Sequence, residues 1–374
     1  MKIFDFLCAP KCNYTSDSDT KGFISQIDVL TQDTDLSAYD VFMLGVQEKE
    51  HANKIIASDS IRLQFLNFSE TSKKNKILDL GNIIQGKTFQ DTVWAIKSII
   101  STLRAFSTPI IVLGATNDYF IPFTIKVLEE ETYPVVTEIN SKINYYSNVE
   151  NTQNYLQVLL ENVPELRIIH LAHQLFYTNK DAYEWFVQKY FPIYRLAEIR
   201  DLLQIEPLIR DSHLINFNLS SIRYSDNPGC DFALPSGLFS EQASQIAWYS
   251  GFSDKMKLFF LTGFSCENDE RNVSAFLSAQ LVWHVIDGIS QRKHDIPIME
   301  NENFSVFYLK NNYLNHDMVF YQSKMSKAMW VEVPSSVEKK RIVPCSVVDY
   351  ESALKNEIPN DWLLEFNRIF NKII

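Results

Sequence analysis

Between residues 41 and 290, short apolar runs of β type alternate with amphipathic helical stretches, and this alternation limits the fold more than any other feature of the chain. Strands separated by a helix pair in parallel through a crossover, and the crossover helices then cover both faces of the sheet. The pattern predicts strands at 41–46, 77–80, 110–113, 135–139, 166–171 and 258–262, with a short segment at 193–196 and another strand opening at Leu214. It predicts helices at 59–68 (capped by Ser58), 89–106, 121–130, 152–161, 180–189, 199–209, 241–249 and 275–290. Beyond Pro297 the pattern changes to close-spaced strands at 304–309, 318–322 and 330–333 and a last helix at 361–370. The fold class is therefore α/β: a three-layer α/β/α arrangement with a mostly parallel sheet over residues 1–297. A small C-terminal β-and-helix appendage, residues 298–374, packs on it.

A chain of 374 residues with 46% hydrophobic and 13% aromatic side chains carries a large buried core. Its net charge of −11 argues against a nucleic-acid partner, which needs Lys and Arg concentrated on one face. Five cysteines, odd in number and mostly isolated, indicate no disulfide framework and make a reducing cytoplasm the expected location. Cys8 and Cys12 have no second Cys/His pair to complete a zinc site. The opening residues are too short an apolar stretch for a signal peptide, and no run of 18 uncharged apolar residues marks a transmembrane segment. Tyr308, Tyr313, Tyr321 and Trp330 in the appendage are read either as an interface or as its own small core.

Three motifs carry candidate chemistry. The first is the stretch 214–229, LINFNLSSIRYSDNPG, an apolar strand that breaks into Asn218, Ser220 and Arg223 before an Asp-Asn-Pro-Gly turn. Asn218 and Ser220 share one strand face and aim past its carboxyl end, where ligands bind in open α/β sheets. The second is 81–88, GNIIQGKT, which fits the phosphate-loop pattern GxxxxGK[ST] between a strand and a helix. Against it, Ile83 and Ile84 stand where small residues let such a loop curl, and no later strand ends in a metal-holding Asp. The third is His170 and His173; at i and i+3 of a strand they face opposite ways and cannot share one ion, so they read as core or surface histidines. No GxSxG elbow is present.

The segment 214–229 also resembles the SFDIDAVDPSDAPG-type signature of the ureohydrolase family (arginase, agmatinase, formimidoylglutamase). The resemblance extends over roughly residues 40 to 290: VFMLGVQE for the first glycine loop, VLGATNDYF for the family's GG-x-H-D loop, and TEINSKINY for its D-A-H-x-D. The segments 239–255 and 270–288 are similar to the late helices of a Bacteroidetes-type, arginase-like branch, and the C-terminal MWVEVP resembles that branch too. The resemblance implies an arginase-like fold and self-association into trimers or hexamers. Position by position, it places the family's metal ligands on Asn117, Asn140, Lys142, Asn144, Asn218 and Ser220, and the substrate-gripping glutamate of arginases near Gly263. None of six ligands is then retained, whereas two manganese ions require anionic carboxylates and imidazoles. Drift into ordinary loop positions is the competing reading; against it, one lysine and several uncharged groups replace the carboxylates together.

The leading expectation is thus a metal-free ureohydrolase-fold pseudoenzyme that binds a small polar ligand or a protein partner, with no catalytic residue and no cofactor. Lys142 is expected to fill the former metal space, hydrogen-bonded to the amide oxygens of Asn140, Asn144 and Asn218. Asp118, Glu138, Arg223 and Asp226 are candidate rim residues. The alternative is a true amidine hydrolase with two Mn ions held by Asp118, Glu138, Asp226 and a histidine from elsewhere. A nucleotide hydrolase built on 81–88 comes third.

Overall fold

The computed structural model describes residues 3–12, 14, 22–46, 56–144, 155–297, 302–314, 317–335 and 341–371, with the side chains of Ala115, Asn117 and Asn371 outside that description. Its centre is a sheet of ten strands. Eight of them run β1 (Leu7–Cys8), β2 (Ile27–Val29), β3 (Val41–Val46), β4 (Ile77–Ile83), β5 (Ile110–Ala115), β6 (Val135–Ile139), β7 (Arg167–His173) and β8 (Ile193–Arg195). β9 (Leu214–Asn218) and β10 (Leu258–Thr262) complete it. The order is β1-β4-β3-β5-β10-β9-β6-β7-β8, with β2 beside β4, and every pairing is parallel except β1 with β4.

Strand alternation sorts side chains into two cores, one on each face of the sheet. Ile111 and Leu113 of β5 and Phe259 and Leu261 of β10 face one core, packed under α1 (Ala57–Gln64), α6 (Leu202–Arg210), α7 (Ser240–Phe252) and α8 (Val273–Ser290). Their neighbours Ile110, Val112, Leu258 and Phe260 face the other, under α2 (Phe89–Leu103), α3 (Asn117–Leu128), α4 (Tyr155–Asn162) and α5 (Lys180–Gln188). α7 and α8 approach most closely at two glycines: a Cβ on Gly251 would overlap the Val285 carbonyl, and one on Gly288 the Trp248 carbonyl. α8 is the single described helix long and apolar enough to cross a membrane, and 67% of it is buried inside the fold.

Several element boundaries differ from expectation. α1 opens at Ala57, so Ser58 lies inside the first turn, where its hydroxyl donates to Asn82 Oδ1 (2.8 Å) instead of capping. α6 starts at Leu202, capped by Asp201, because 198–200 forms a separate 3-10 turn. β4 runs three residues further than expected, through Gly81 and Asn82 to Ile83, held by β3 on one side and β1 on the other. Three of the phosphate-loop positions, Gly81, Asn82 and Ile83, are therefore sheet, and Thr88 serves as the N-cap of α2. Residues 151–154, at the start of an expected helix, lie outside the described residues.

The C-terminal strands form a separate antiparallel sheet in the order β11 (Phe304–Leu309), β12 (Met318–Ser323), β13 (Met329–Val333) and β14 (Arg341–Cys345). α9 (Val347–Leu354) and α10 (Asn360–Asn371) follow it. β14 and α9 have no counterpart in the expected pattern, since Pro344 masks the strand and α9 is only eight residues long. This sheet has its own core around Phe320, Val331 and Trp362. The four aromatics divide: Trp330 is buried under Arg210 and beside Phe304, Tyr321 is half-buried on Glu332, and Tyr308 and Tyr313 are exposed.

Candidate functional site

The chain switches direction in the sheet after β5, which is followed in sequence by β6 but in space by β10 and β9. Such a reversal leaves a crevice beyond the carboxyl ends of the strands. Here the crevice is a half-open cavity of about 250 Å³ lined by Asn140, Lys142, Asn144, Tyr155, Asn218, Ser220, Cys230, Asp231, Phe232 and Gly263. The topology thus gathers five of the six positions to which the resemblance assigns metal ligands. The sixth, Asn117, is the first residue of α3 at the end of β5, and its side chain lies outside the described residues.

Below the cavity, a row of polar side chains crosses three strands. Asn216 of β9 donates to both carboxyl oxygens of Glu138 on β6 (3.2 and 3.0 Å) and accepts from Thr262 of β10 (3.1 Å). Tyr155 of α4 also hydrogen-bonds Glu138. Glu138 is fully buried, and burial pushes its carboxyl up to about 8 although the bonds from Tyr155 and Asn216 pull the other way. Glu138 is therefore floor and not rim.

One step nearer the strand ends, the two buried asparagines are fixed by the main chain. Asn140 Oδ1 accepts from the Lys142 N–H (3.2 Å) and from Ser220 Oγ (3.1 Å), and Asn218 Oδ1 accepts from the Ser220 N–H (2.9 Å). Ser220 Oγ in turn meets Ser141 Oγ (3.0 Å). The expectation that the Lys142 ammonium sits among these amide oxygens is not met. The ammonium lies instead over the Phe232 ring, 4.2 Å from its centroid, a cation–π contact at the cavity mouth. Gly263, with φ +80°, closes the far wall, where a Cβ would press on the Asn218 carboxamide.

The remaining rim candidates do not line the cavity. Arg223 donates to Asp226 (2.8 Å) and lies over Phe239, while Asp226 accepts from the Ser240 N–H (3.0 Å), so the pair fastens the first turn of α7. Asp118 is half-buried in the first turn of α3, its carboxyl raised by burial. The alternative ligand set of Asp118, Glu138 and Asp226 is thus dispersed over a helix, the sheet interior and a loop clasp. His170 and His173 do come together, against expectation: the β7 ladder shifts register at Ala172, whose φ of +72° turns both rings the same way, 5.8 Å apart. Both are core side chains. His170 meets the Lys142 carbonyl and His173 that of Tyr194, and burial, then the neighbouring His173, lowers His170 to about 3.

A pair of manganese ions does not suit this donor set. The two buried amide oxygens are engaged by N–H groups, an ammonium stands at the mouth, and the cavity lining holds one carboxylate, Asp231. Among the described residues no three His, Cys, Asp or Glu side chains are placed to hold a metal ion. Sequence reasoning missed Asp231, Phe232, Tyr155 and Asn216. Asn216 had a signal, a polar residue two before Asn218 in an apolar run; Tyr155 had none, since it reaches the site from a helix on the sheet's face.

No family model and no curated protein matches the chain. Solved structures do. A variant of Trypanosoma cruzi formiminoglutamase, solved with Mn2+, superposes with a TM-score of 0.64 at 16% identity, covering 74% of this chain and 100% of that one. Formimidoylglutamase from Bacillus subtilis gives 0.65 at 15% identity over 77% of this chain and 98% of that one. The agmatine ureohydrolase of Thermoplasma volcanium gives 0.57 at 15% identity over 69% and 92%. At such identities the likeness is one of architecture, and the chain has the arginase-type α/β fold.

Proposed function

We propose that this chain is a metal-independent binding protein on a ureohydrolase fold, a pseudoenzyme whose polar cavity receives a small ligand. The observation that carries the reading is the chemistry of the strand ends: Asn140, Asn218 and Ser220 are uncharged and turned toward one another, and the one flexible charge among them, Lys142, is positive. A hydrolase that activates water with divalent cations needs anionic ligands at such positions, because neutral amides and an ammonium cannot offset four positive charges. The similar solved structures are named as formiminoglutamases and an agmatine ureohydrolase, and the amidine-hydrolase alternative rests on that likeness alone.

The test is metal content. The full chain, saturated with Mn2+ or Zn2+ and then desalted, is expected to retain far less than one ion per chain by elemental mass spectrometry. Two ions per chain would overturn the reading and make amidine hydrolysis the assay to run.

A further inference from the structure

The orientation of the cavity amides decides what they can recognise. An N–H must point at an oxygen, so the bonds from Lys142 N to Asn140 Oδ1 and from Ser220 N to Asn218 Oδ1 fix both carboxamides without ambiguity. Asn140 Oδ1 accepts two bonds from the protein and Asn218 Oδ1 one, while the NH2 of each side chain donates to no protein group among the described residues. Lys142 adds an ammonium with no carboxylate within ion-pair distance among the described residues, anchored on one side by the Phe232 ring. The other lining groups hold few acceptors: Asp231 is the one carboxylate, Ser220 Oγ donates to Asn140, and burial keeps the Cys230 thiol protonated, up to about 11. A crevice rich in donors and poor in acceptors is suited to an anion.

Resting on the reading of the cavity as a metal-independent binding site, we propose that it is a receptor for a small, singly charged carboxylate, held by the NH2 groups of Asn140 and Asn218 and by the Lys142 ammonium. Charge and size set the class. The lining holds one ammonium, Lys142, and one carboxylate, Asp231, so a singly charged anion is favoured over a doubly charged one. A volume of about 250 Å³ corresponds to roughly eight waters, enough for a carboxylate with a short substituent. Charge-assisted bonds from an ammonium and paired N–H donors are the strong kind, and Phe232 offers the substituent an apolar wall.

The experiment titrates acetate, propionate and inorganic phosphate into the full-length protein at pH 8, where phosphate is mostly the dianion, by calorimetry and by thermal shift, with matched ionic strength in sodium chloride. Propionate is expected to bind saturably and raise the melting temperature, with phosphate at least tenfold weaker. Lys142→Met and Asn218→Asp are expected to weaken propionate at least tenfold each. Asn218→Asp keeps the oxygen that accepts from Ser220 and exchanges the NH2 donor for a negatively charged acceptor, so the loss reports an anion site. Phosphate equal to or tighter than propionate, unchanged affinity in both variants, or no saturable binding in a chain that also takes up no metal would overturn the carboxylate assignment and leave the metal-independent reading in place. Stoichiometric Mn2+ uptake would remove both.

Discussion

Glu138 lies inside the parallel sheet with Asn216 and Tyr155 as its polar neighbours, while the charged groups of the cavity, Lys142 and Asp231, sit beyond the strand ends. Its carboxyl, raised by burial to about 8, keeps a proton in the folded state that the unfolded chain gives up near pH 4.5. Within that window the folded state binds more protons, so raising the pH favours unfolding, by about 1.4 kcal/mol per pH unit at most. The stabilisation is complete below pH 4.5 and is lost as the pH rises through 8. Glu138→Gln keeps the shape without the proton, and urea denaturation at pH 5, 6.5 and 8 should show the wild-type chain losing stability relative to the variant across that series. The sequence placed Glu138 on the rim because a lone carboxylate in TEIN reads as solvated. Its partner Asn216 is 78 residues away, and no local signal announces the pairing. The spacing of Asn218 and Ser220 made those two legible, although Ser220 lies in the 3-10 turn after β9 and not on the strand, whereas Asn140, Lys142 and Asn144 were legible through the resemblance to the ureohydrolase signature.

At the scale of elements, the α7–α8 contact sets the spacing of one helical layer. Gly251→Ala brings an expected gain of about 1 kcal/mol from helix propensity. The added methyl meets a main-chain carbonyl of α8, which cannot swing aside as a side chain would, and overpacking of this kind costs about 1–3 kcal/mol. The second effect wins, and a lower melting temperature is expected for the variant. Long helices and central strands followed from periodicity, but two departures did not. β4 continues through a glycine that reads as a turn because two neighbouring strands pair with it there. β7 bulges at Ala172 with no glycine to mark it, since the left-handed residue is imposed by its register with β8 and not by its own preference.

The C-terminal sheet is joined to the rest of the molecule through buried charge. Asp211, after α6, accepts from Arg167 of β7 (2.8 Å), Lys255 (2.7 Å) and Arg341 of β14 (2.6 Å), while Glu365 of α10 pairs with Arg341 (2.8 Å), Arg368 (2.9 Å) and Arg167 (3.3 Å). Burial alone would raise the Asp211 carboxyl, yet Arg341, Lys255 and Arg167 together hold it well below the usual range. Arg341→Met removes the one residue that bonds both carboxylates from the C-terminal sheet. Breaking a buried pair costs about 3–5 kcal/mol, and the cations that remain place this variant at the lower end. Urea denaturation should show the midpoint shifted down, with the Trp330 and Trp362 fluorescence changing first. Nothing in the periodicity of 298–374 foretold this network, because its members are spread over 202 positions from Arg167 to Arg368 and only the folded chain collects them. That spread has a consequence for a chain made from one end. While the ribosome is still short of Glu365, Arg167 lacks one of its two carboxylates, and Asp211 lacks Arg341 until β14 has emerged. The charge balance around Arg167 and Asp211 is therefore complete only once the C-terminal segment has been delivered.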